Sequence, residues 1–102
     1  DIHAHLSQEH VEVLFGKGHR LTKWRDLTIP GAYACRETVE VRGPSGSIKG
    51  AVVVGPCRSY TQVEVSFTNA AVLGISPGAV KTRLYRAREK FRQIYAPEEV
   101  ER

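Results

Sequence analysis

Residues 34–54 read ACRETVEVRGPSGSIKGAVVV, and this stretch decides the fold. Apolar and polar residues alternate over residues 34–41, which is typical of a strand with one buried face. The run Gly-Pro-Ser-Gly at 43–46 has the composition of a tight turn. Residues 47–54 return as a second strand, and its end, Ala-Val-Val-Val, is apolar enough to be buried on both faces. The stretch therefore predicts a β-hairpin.

The flanking segments predict further strands and one helix. Residues 2–6 alternate in polarity and form a short strand. Ser7 is suited to cap a helix, which Gly16 then stops. Residues 62–67 place Val63, Val65 and Phe67 on one face of another strand.

The pattern changes after Thr68, where we predict helices instead of strands. Residues 69–75 form a short helix that ends at Gly74. Ser76 and Pro77 are a strong start for a second helix, as N-cap and first helical residue. Apolar residues then recur at spacings of four and three, which predicts an amphipathic helix of about 18 residues. This apolar stripe consists of Val80, Leu84, Ala87, Phe91 and Ile94.

Length and composition indicate one small α+β domain. The chain has 102 residues, of which 41% are hydrophobic and 25% charged. This excludes a large two-domain enzyme, and no apolar run is long enough for a membrane span. Two cysteines are too few for a disulfide scaffold, so we expect a reduced, cytoplasmic protein, a fragment or processed chain that begins at Asp1. The predicted fold is a small, partly open β-barrel of about five strands, with short helices and the C-terminal amphipathic helix.

The positive charge is concentrated near the C-terminus. Residues 1–70 contain 8 Lys and Arg against 7 Asp and Glu, whereas residues 71–102 contain 7 against 4. A basic segment on a nearly neutral body favours a polyanionic partner such as nucleic acid or phosphate. The alternative is a solvated helix that is merely basic.

The residues of the body that carry chemistry are His3, His5, Arg58 and Glu64. A His-x-His pair on a strand places both imidazoles on one face, where they can chelate one metal ion. Imidazole suits zinc, and a carboxylate from another strand would supply a third ligand. Arg58 follows Gly-Pro in a loop and suits phosphate or carboxylate recognition. The alternatives are an incidental His-x-His and a solvated loop arginine, and His10 and His19 are expected to be surface residues without partners.

The motifs of residues 1–75 resemble those of a known enzyme family, the propanediol-utilisation type of phosphate propanoyltransferase. The resemblance starts with His-Ala-His-Leu-Ser at 3–7 and continues through Leu-Phe-Gly at 14–16 and Glu-Thr-Val at 37–39. It includes Gly-Pro-Cys-Arg-Ser at 55–59 and Thr-Gln-Val-Glu-Val-Ser at 61–66, and it ends near Leu-Gly-Ile at 73–75.

This resemblance implies an activity and a role for each matching residue. The family transfers an acyl group between coenzyme A and inorganic phosphate, with a two-zinc site and two β-barrel-like halves. His3, His5 and Glu64 resemble ligands of one zinc ion, and Arg58 resembles the arginine that holds phosphate. The expected substrates are acyl-CoA or acyl phosphate and inorganic phosphate, and the expected location is the cytoplasm or a bacterial microcompartment.

The resemblance also implies that the site is incomplete in this chain. Family members continue into a second half with another histidine cluster, whereas this sequence has no histidine after His19. We therefore predict a half-site, which a second chain would complete.

The segment after Leu73 resembles the promoter-binding helix-turn-helix of bacterial sigma factors. Leu-Gly-Ile-Ser-Pro-Gly at 73–78 and the basic run that follows carry this resemblance. It implies a division into an acyltransferase-like half domain at 1–75 and a basic helical tail at 76–102. DNA contacts would then come from Lys81, Thr82, Arg83, Arg86 and Arg88. The sequence thus leaves three hypotheses: an acyltransferase half, a DNA-binding module, and a folded remnant with neither activity.

Overall fold

Ten helices and strands make up the described part of the chain. The computed structural model describes residues 2–84 and 92–96. In chain order the elements are β1 His3–His5, α1 Gln8–Phe15, β2 Lys23–Asp26, β3 Tyr33–Arg42, β4 Ser47–Gly55, β5 Gln62–Val65, α2 Phe67–Leu73, β6 Gly78–Lys81, β7 Arg83–Leu84 and β8 Gln93–Tyr95. No helix in residues 2–84 and 92–96 is long and apolar enough to cross a membrane.

The predicted hairpin is confirmed as the longest strand pair of the sheet. Strands β3 and β4 are antiparallel, and Arg42 lies opposite Ser47 on either side of the turn. The Gly43 N–H donates to the Gly46 carbonyl over 2.8 Å and closes the turn. The turn also contacts the end of α2, where the Ser45 N–H donates to the Leu73 carbonyl over 3.0 Å. Gly43 sits so close to Leu73 that a side chain there would clash with it.

Helix α1 begins where its capping residue predicts, and α2 begins earlier than predicted. The Ser7 hydroxyl accepts a hydrogen bond from the His10 N–H, and Gly16 ends α1. In α2 the Ser66 hydroxyl accepts from the Asn69 N–H, so the helix starts at Phe67 instead of residue 69. This N-cap satisfies a helical N–H that would otherwise lack a partner, which explains the earlier start.

The α+β class is confirmed, but instead of the predicted partly open β-barrel of about five strands, the described residues form a sheet that has more strands and is not closed into a barrel. The strand order is β6-β5-β1-β4-β3-β8-β7, and β2 pairs separately with β3. Among the described strands, β6 and β7 are the two ends of this order, and they do not pair with each other. Only Thr82 lies between them in sequence, so the two end strands must be close in space. The sheet is therefore strongly curved but does not close.

The predicted C-terminal amphipathic helix is wrong wherever the structure describes it. Strand β6 pairs with β5, with Val80 opposite Val63, and β8 runs parallel to β3, with Ile94 opposite Val41. The backbone N–H and C=O groups at the edges of β3 and β5 need partners, and these segments supply them. Val80 and Ile94 are buried in the same core, but from two different strands. Residues 85–91 of the predicted helix lie outside the described residues.

The hydrophobic core covers one face of the sheet. Ala4, Val53 and Val63 are fully buried and come from the neighbouring strands β1, β4 and β5. The helices close this face, with Val11 and Leu14 from α1 and Ala70 and Leu73 from α2 in the same cluster. Because strand side chains alternate in direction, the neighbours of these core residues along each strand point to the opposite face.

The segment between α1 and β2 is fastened to the sheet by one nearly buried carboxylate. Glu37 on β3 has only 8% of its side chain exposed and contacts His19 Nε2 at 2.6 Å. The Thr22 N–H and hydroxyl also donate to this carboxylate, at 2.9–3.1 Å. Burial alone would raise the pKa of Glu37, but the hydrogen bonds from Thr22 and His19 outweigh it, so the pKa lies below its ordinary value of 4.5.

This lowered pKa predicts a pH-dependent contribution of Glu37 to stability. A carboxyl group whose pKa is depressed by folding stabilises the protein above its unfolded-state pKa, and this stabilisation is lost as pH falls through the folded-state pKa. We expect Glu37→Gln to lower the free energy of unfolding by about 1–3 kcal/mol at pH 7. The difference from the unmodified chain should shrink below pH 4.5. Urea denaturation over a pH series measures it.

Asp26→Asn is the matched control for this measurement. Asp26 forms an exposed ion pair with Lys23, and its side chain is 75% exposed. Exposed pairs of this kind contribute about 0–1 kcal/mol. An equal loss of stability in both variants, or a Glu37→Gln effect that stays constant down to pH 2, would contradict this prediction. Either result would show that the contacts of Glu37 with His19 and Thr22 do not depend on its charge.

Candidate functional site

A cavity of about 570 Å³ lies on the face of the sheet that the core leaves open. Its lining comes from β1, β2, β4, β5, the β2–β3 loop and the β4–β5 connection. The cavity is lined by His3, His5, Arg25, Asp26, Leu27, Thr28, Ile29, Ala32, Val54, Arg58 and Glu64. All four residues singled out in the body of the sequence therefore line one cavity.

His3, His5 and Glu64 share this face because of the register of three neighbouring strands. Strand β1 lies between β4 and β5, and His3 is directly opposite Glu64 in the antiparallel ladder. Residues opposite each other in such a ladder project to the same face, and His5, two residues after His3, projects there too. His5 Nε2 lies 3.5 Å from Glu64 Oε2. The predicted placement of both imidazoles on one face, with a carboxylate from another strand, is what the register produces.

The environment of His5 favours its neutral form. Burial lowers the pKa of His5, the positive charge of Arg58 lowers it further, and Glu64 only partly opposes them. His5 is only 6% exposed, whereas the side chain of Glu64 is 53% exposed. A neutral imidazole keeps a nitrogen lone pair, which is the form that binds metal ions.

The donor types fit zinc, but three donors do not converge on one point. Imidazole and carboxylate are ordinary zinc ligands, and His5 and Glu64 already lie side by side. Within residues 2–84 and 92–96, no group of three His, Cys, Asp or Glu side chains is arranged to hold a metal ion. His3 lines the same cavity and is the remaining candidate for a third ligand.

Arg58 is held at the cavity by its backbone and by its side chain. Its N–H donates to the Leu6 carbonyl over 2.9 Å, directly after β1. Its guanidinium Nη1 donates to Gln62 Oε1 over 3.1 Å. A guanidinium has five N–H donors, so binding Gln62 leaves most of them for an anion. The loop after Gly55 therefore carries an exposed arginine that two hydrogen bonds hold at the cavity, and its role in binding an anion stays a prediction.

A second pair of contacts holds the same loop through Thr61, a residue that the sequence did not single out for the site. The Ser7 N–H donates to Thr61 Oγ1 over 3.1 Å, and Thr61 Oγ1 lies 2.5 Å from His10 Nδ1. A hydroxyl can accept two hydrogen bonds and donate one, so the tautomer of His10 decides which of the two groups donates. Burial lowers the pKa of His10, which favours its neutral ring. Thr61 begins the family motif at 61–66, but its contacts cannot be predicted from local sequence, because its partners are 51 and 54 residues away.

The expectation that His10 and His19 lack partners is wrong. His10 is bound to Thr61, and His19 to Glu37, as described above. Of the two cysteines, Cys35 is buried, which raises the pKa of its thiol to about 11. Cys57 is partly exposed, and its thiol donates to Gln8 Oε1 over 3.2 Å.

The residues predicted to contact DNA do not lie on a recognition helix where the structure describes them. The backbone of Lys81 belongs to β6 and that of Arg83 to β7. Thr82 is only 7% exposed, so its side chain is not available to a duplex. Arg86 and Arg88 lie outside the described residues. The geometry of a helix-turn-helix is therefore absent from residues 78–84.

Comparison with known proteins points to one family. The sequence profile described as phosphate propanoyltransferase matches residues 1–83, including β6 and its pairing with β5. The chain is similar to the phosphate propanoyltransferase of Clostridioides difficile, with 58% identity over 73 residues. It is also similar to those of Leptotrichia buccalis, at 52% over 73 residues, and Thermotoga maritima, at 51% over 75 residues.

These matches cover most of this chain but only part of each relative. They take in 72–74% of this chain, and the chain spans about a third of the length of the relatives, 35–36%. The division of this sequence at residue 75 stays a prediction. The match over residues 1–83 comprises every residue of the cavity, and the chain belongs to the phosphate propanoyltransferase family.

Proposed function

We propose that this chain forms one half of the active site of a phosphate acyltransferase, which transfers an acyl group between coenzyme A and inorganic phosphate. The observation that carries the proposal is the convergence of His3, His5, Glu64 and Arg58 on a single cavity. Acyl transfer to phosphate needs a cationic group for the phosphate and a polarising group for the thioester, and this cavity offers residues of both types.

In this proposal Arg58 binds and orients the phosphate. Its planar guanidinium suits two phosphate oxygens at once, and its anchoring to Leu6 and Gln62 fixes where they lie. A phosphate oxygen then attacks the thioester carbonyl carbon, the carbon–sulfur bond breaks, and coenzyme A leaves as its thiolate. Holding phosphate beside the thioester lowers the entropic cost of this encounter. The transfer needs no nucleophile from the protein, so neither Cys35 nor Cys57 is required for it.

His3, His5 and Glu64 would hold one zinc ion at the same cavity. An ion held there would supply Lewis-acid chemistry, polarising the acyl carbonyl or stabilising the thiolate sulfur. The chain's own contribution is to keep His5 neutral, through burial and the nearby Arg58, so that it presents a lone pair. Because the chain spans about a third of its relatives, we propose that a second segment or a second chain completes the site. Residence in a bacterial microcompartment stays a prediction.

Zinc content tests the proposed ligand set. We expect up to one equivalent of zinc per purified chain, because His5 and Glu64 lie side by side and His3 lines the same cavity. His5→Ala should lose most of it, since His5 is the buried member of the set. Elemental analysis after dialysis measures the content.

His19→Gln provides the matched control, because His19 binds Glu37 and does not line the cavity. It should retain the zinc of the unmodified chain. Equal zinc in the His5→Ala protein would remove His5 from the ligand set, whatever the control shows.

Phosphate affinity tests the role of Arg58. We expect Arg58→Ala to weaken the binding of inorganic phosphate by about 10- to 100-fold, because a charge-assisted, two-point contact is lost. Isothermal titration calorimetry of the zinc-loaded chain measures the affinity. Arg36→Ala is the control, because Arg36 is exposed on β3 and does not line the cavity. Similar losses in both variants would indicate a general charge effect and contradict a specific role for Arg58.

A further inference from the structure

The cavity has an apolar wall that the proposed chemistry does not use. Leu27, Ile29, Ala32 and Val54 line it together with the catalytic candidates. Leu27 is 36% exposed and Ile29 69% exposed, so two large apolar side chains meet solvent at this site. Apolar surface grouped around a pocket marks a place where an apolar part of a ligand is buried.

The loop that carries this wall has a defined shape. It connects β2 to β3, and the Leu27 N–H donates to the Ala32 carbonyl over 3.0 Å. Within the loop, the Ala32 N–H donates to the Ile29 carbonyl, also over 3.0 Å. These two hydrogen bonds fix the backbone on both sides of Ile29, so its side chain is presented from a preformed turn.

The apolar wall begins directly beside the reacting groups. Strand β1 runs parallel to β4 with His3 beside Val52 and Ala4 beside Val53, which places Val54 beside His5. Val54 is only 6% exposed and pairs with Ala34 on β3, yet neither belongs to the core cluster on the other face. An apolar path therefore leads from His5 across Val54 to the β2–β3 loop.

We propose that Val54, Leu27 and Ile29 form the subsite for the acyl chain of the substrate, and that Ile29 determines how strongly chain length affects binding. This inference rests on the proposed function. It adds that the apolar wall of the cavity binds a saturated acyl chain, whose carbonyl lies near His5 and Arg58. Each methylene placed against Leu27 and Ile29 leaves water, and burial of one methylene tightens binding by about fourfold.

Binding measurements with a series of thioesters test the subsite. Coenzyme A, propanoyl-CoA, butanoyl-CoA and pentanoyl-CoA are titrated into the zinc-loaded chain by calorimetry, without phosphate so that no transfer occurs. We expect the affinity of the unmodified chain to rise by about two- to fourfold with each added methylene. In Ile29→Ala this rise should fall below about 1.5-fold, while the affinity for coenzyme A itself stays unchanged.

Val72→Ala is the matched control. Val72 is an exposed apolar residue on α2, 47% exposed, and does not line the cavity. It should leave the whole series unchanged. Ile29 is more exposed than Val72, so neither substitution removes core packing, and a urea denaturation curve for each variant checks that the fold is intact.

The outcomes separate this inference from the function on which it rests. If the series binds but affinity does not depend on chain length, the acyl subsite is wrong and the proposed function stands. If Ile29→Ala weakens coenzyme A and its thioesters equally, the wall binds the pantetheine arm, and the acyl assignment is overturned. If neither coenzyme A nor any thioester binds, both the subsite and the proposed half-site are overturned.

Discussion

The three-residue strand β1 is the element on which the rest of the structure depends. It pairs with β4 on one side and with β5 on the other, so it lies inside the sheet. Its alternating side chains divide the molecule: Ala4 is fully buried in the core, whereas His3 and His5 line the cavity. A shift of one residue in this register would bury the imidazoles in the core and remove them from the cavity. Leu6, fully buried after the strand, helps to hold the register.

The cavity is assembled by contacts between residues far apart in sequence. Leu6 holds the loop after β4 by accepting the backbone N–H of Arg58, and the Ser7 N–H donates to the hydroxyl of Thr61. The same loop begins at Gly55, where the ring of Tyr33 leaves no space for a side chain. The backbone of Arg58 is thus positioned by a main-chain contact, whereas its guanidinium is held by the side chain of Gln62. This explains how a short chain presents a preformed cluster of cationic, neutral and anionic groups.

The sequence predicts the features whose causes are local. The turn at 43–46, the Ser7 cap and the alternation around His3 depend on neighbouring residues, and the structure contains them. The family resemblance over residues 1–75 is confirmed by a profile match that extends to residue 83. The loop at 27–32 was missed as part of the site, because apolar residues in a loop have no periodicity that would indicate a ligand.

The predicted C-terminal helix shows why local patterns fail here. Val80 and Ile94 fit a helical stripe, but each is buried because a strand edge elsewhere in the sheet needs a partner. The unpaired edges of β3 and β5 exist only once those strands have formed. The residues around position 80 therefore carry no local pattern that would indicate this pairing. The same limit applies to the hydrogen bond between His19 and Glu37, which are 18 residues apart in sequence.

The place of β1 in the sheet also constrains the order of events during synthesis. Its partners are residues 52–53 of β4 and 62–64 of β5, so the histidines gain a sheet environment only after about sixty further residues have been made. Until then, the segment around His3 lacks both partner strands, whereas the β3–β4 hairpin can form from local contacts. Contacts this distant in sequence form slowly. The candidate metal-binding face is thus a late feature relative to the hairpin, because it needs residues 3–5, 52–53 and 62–64 together.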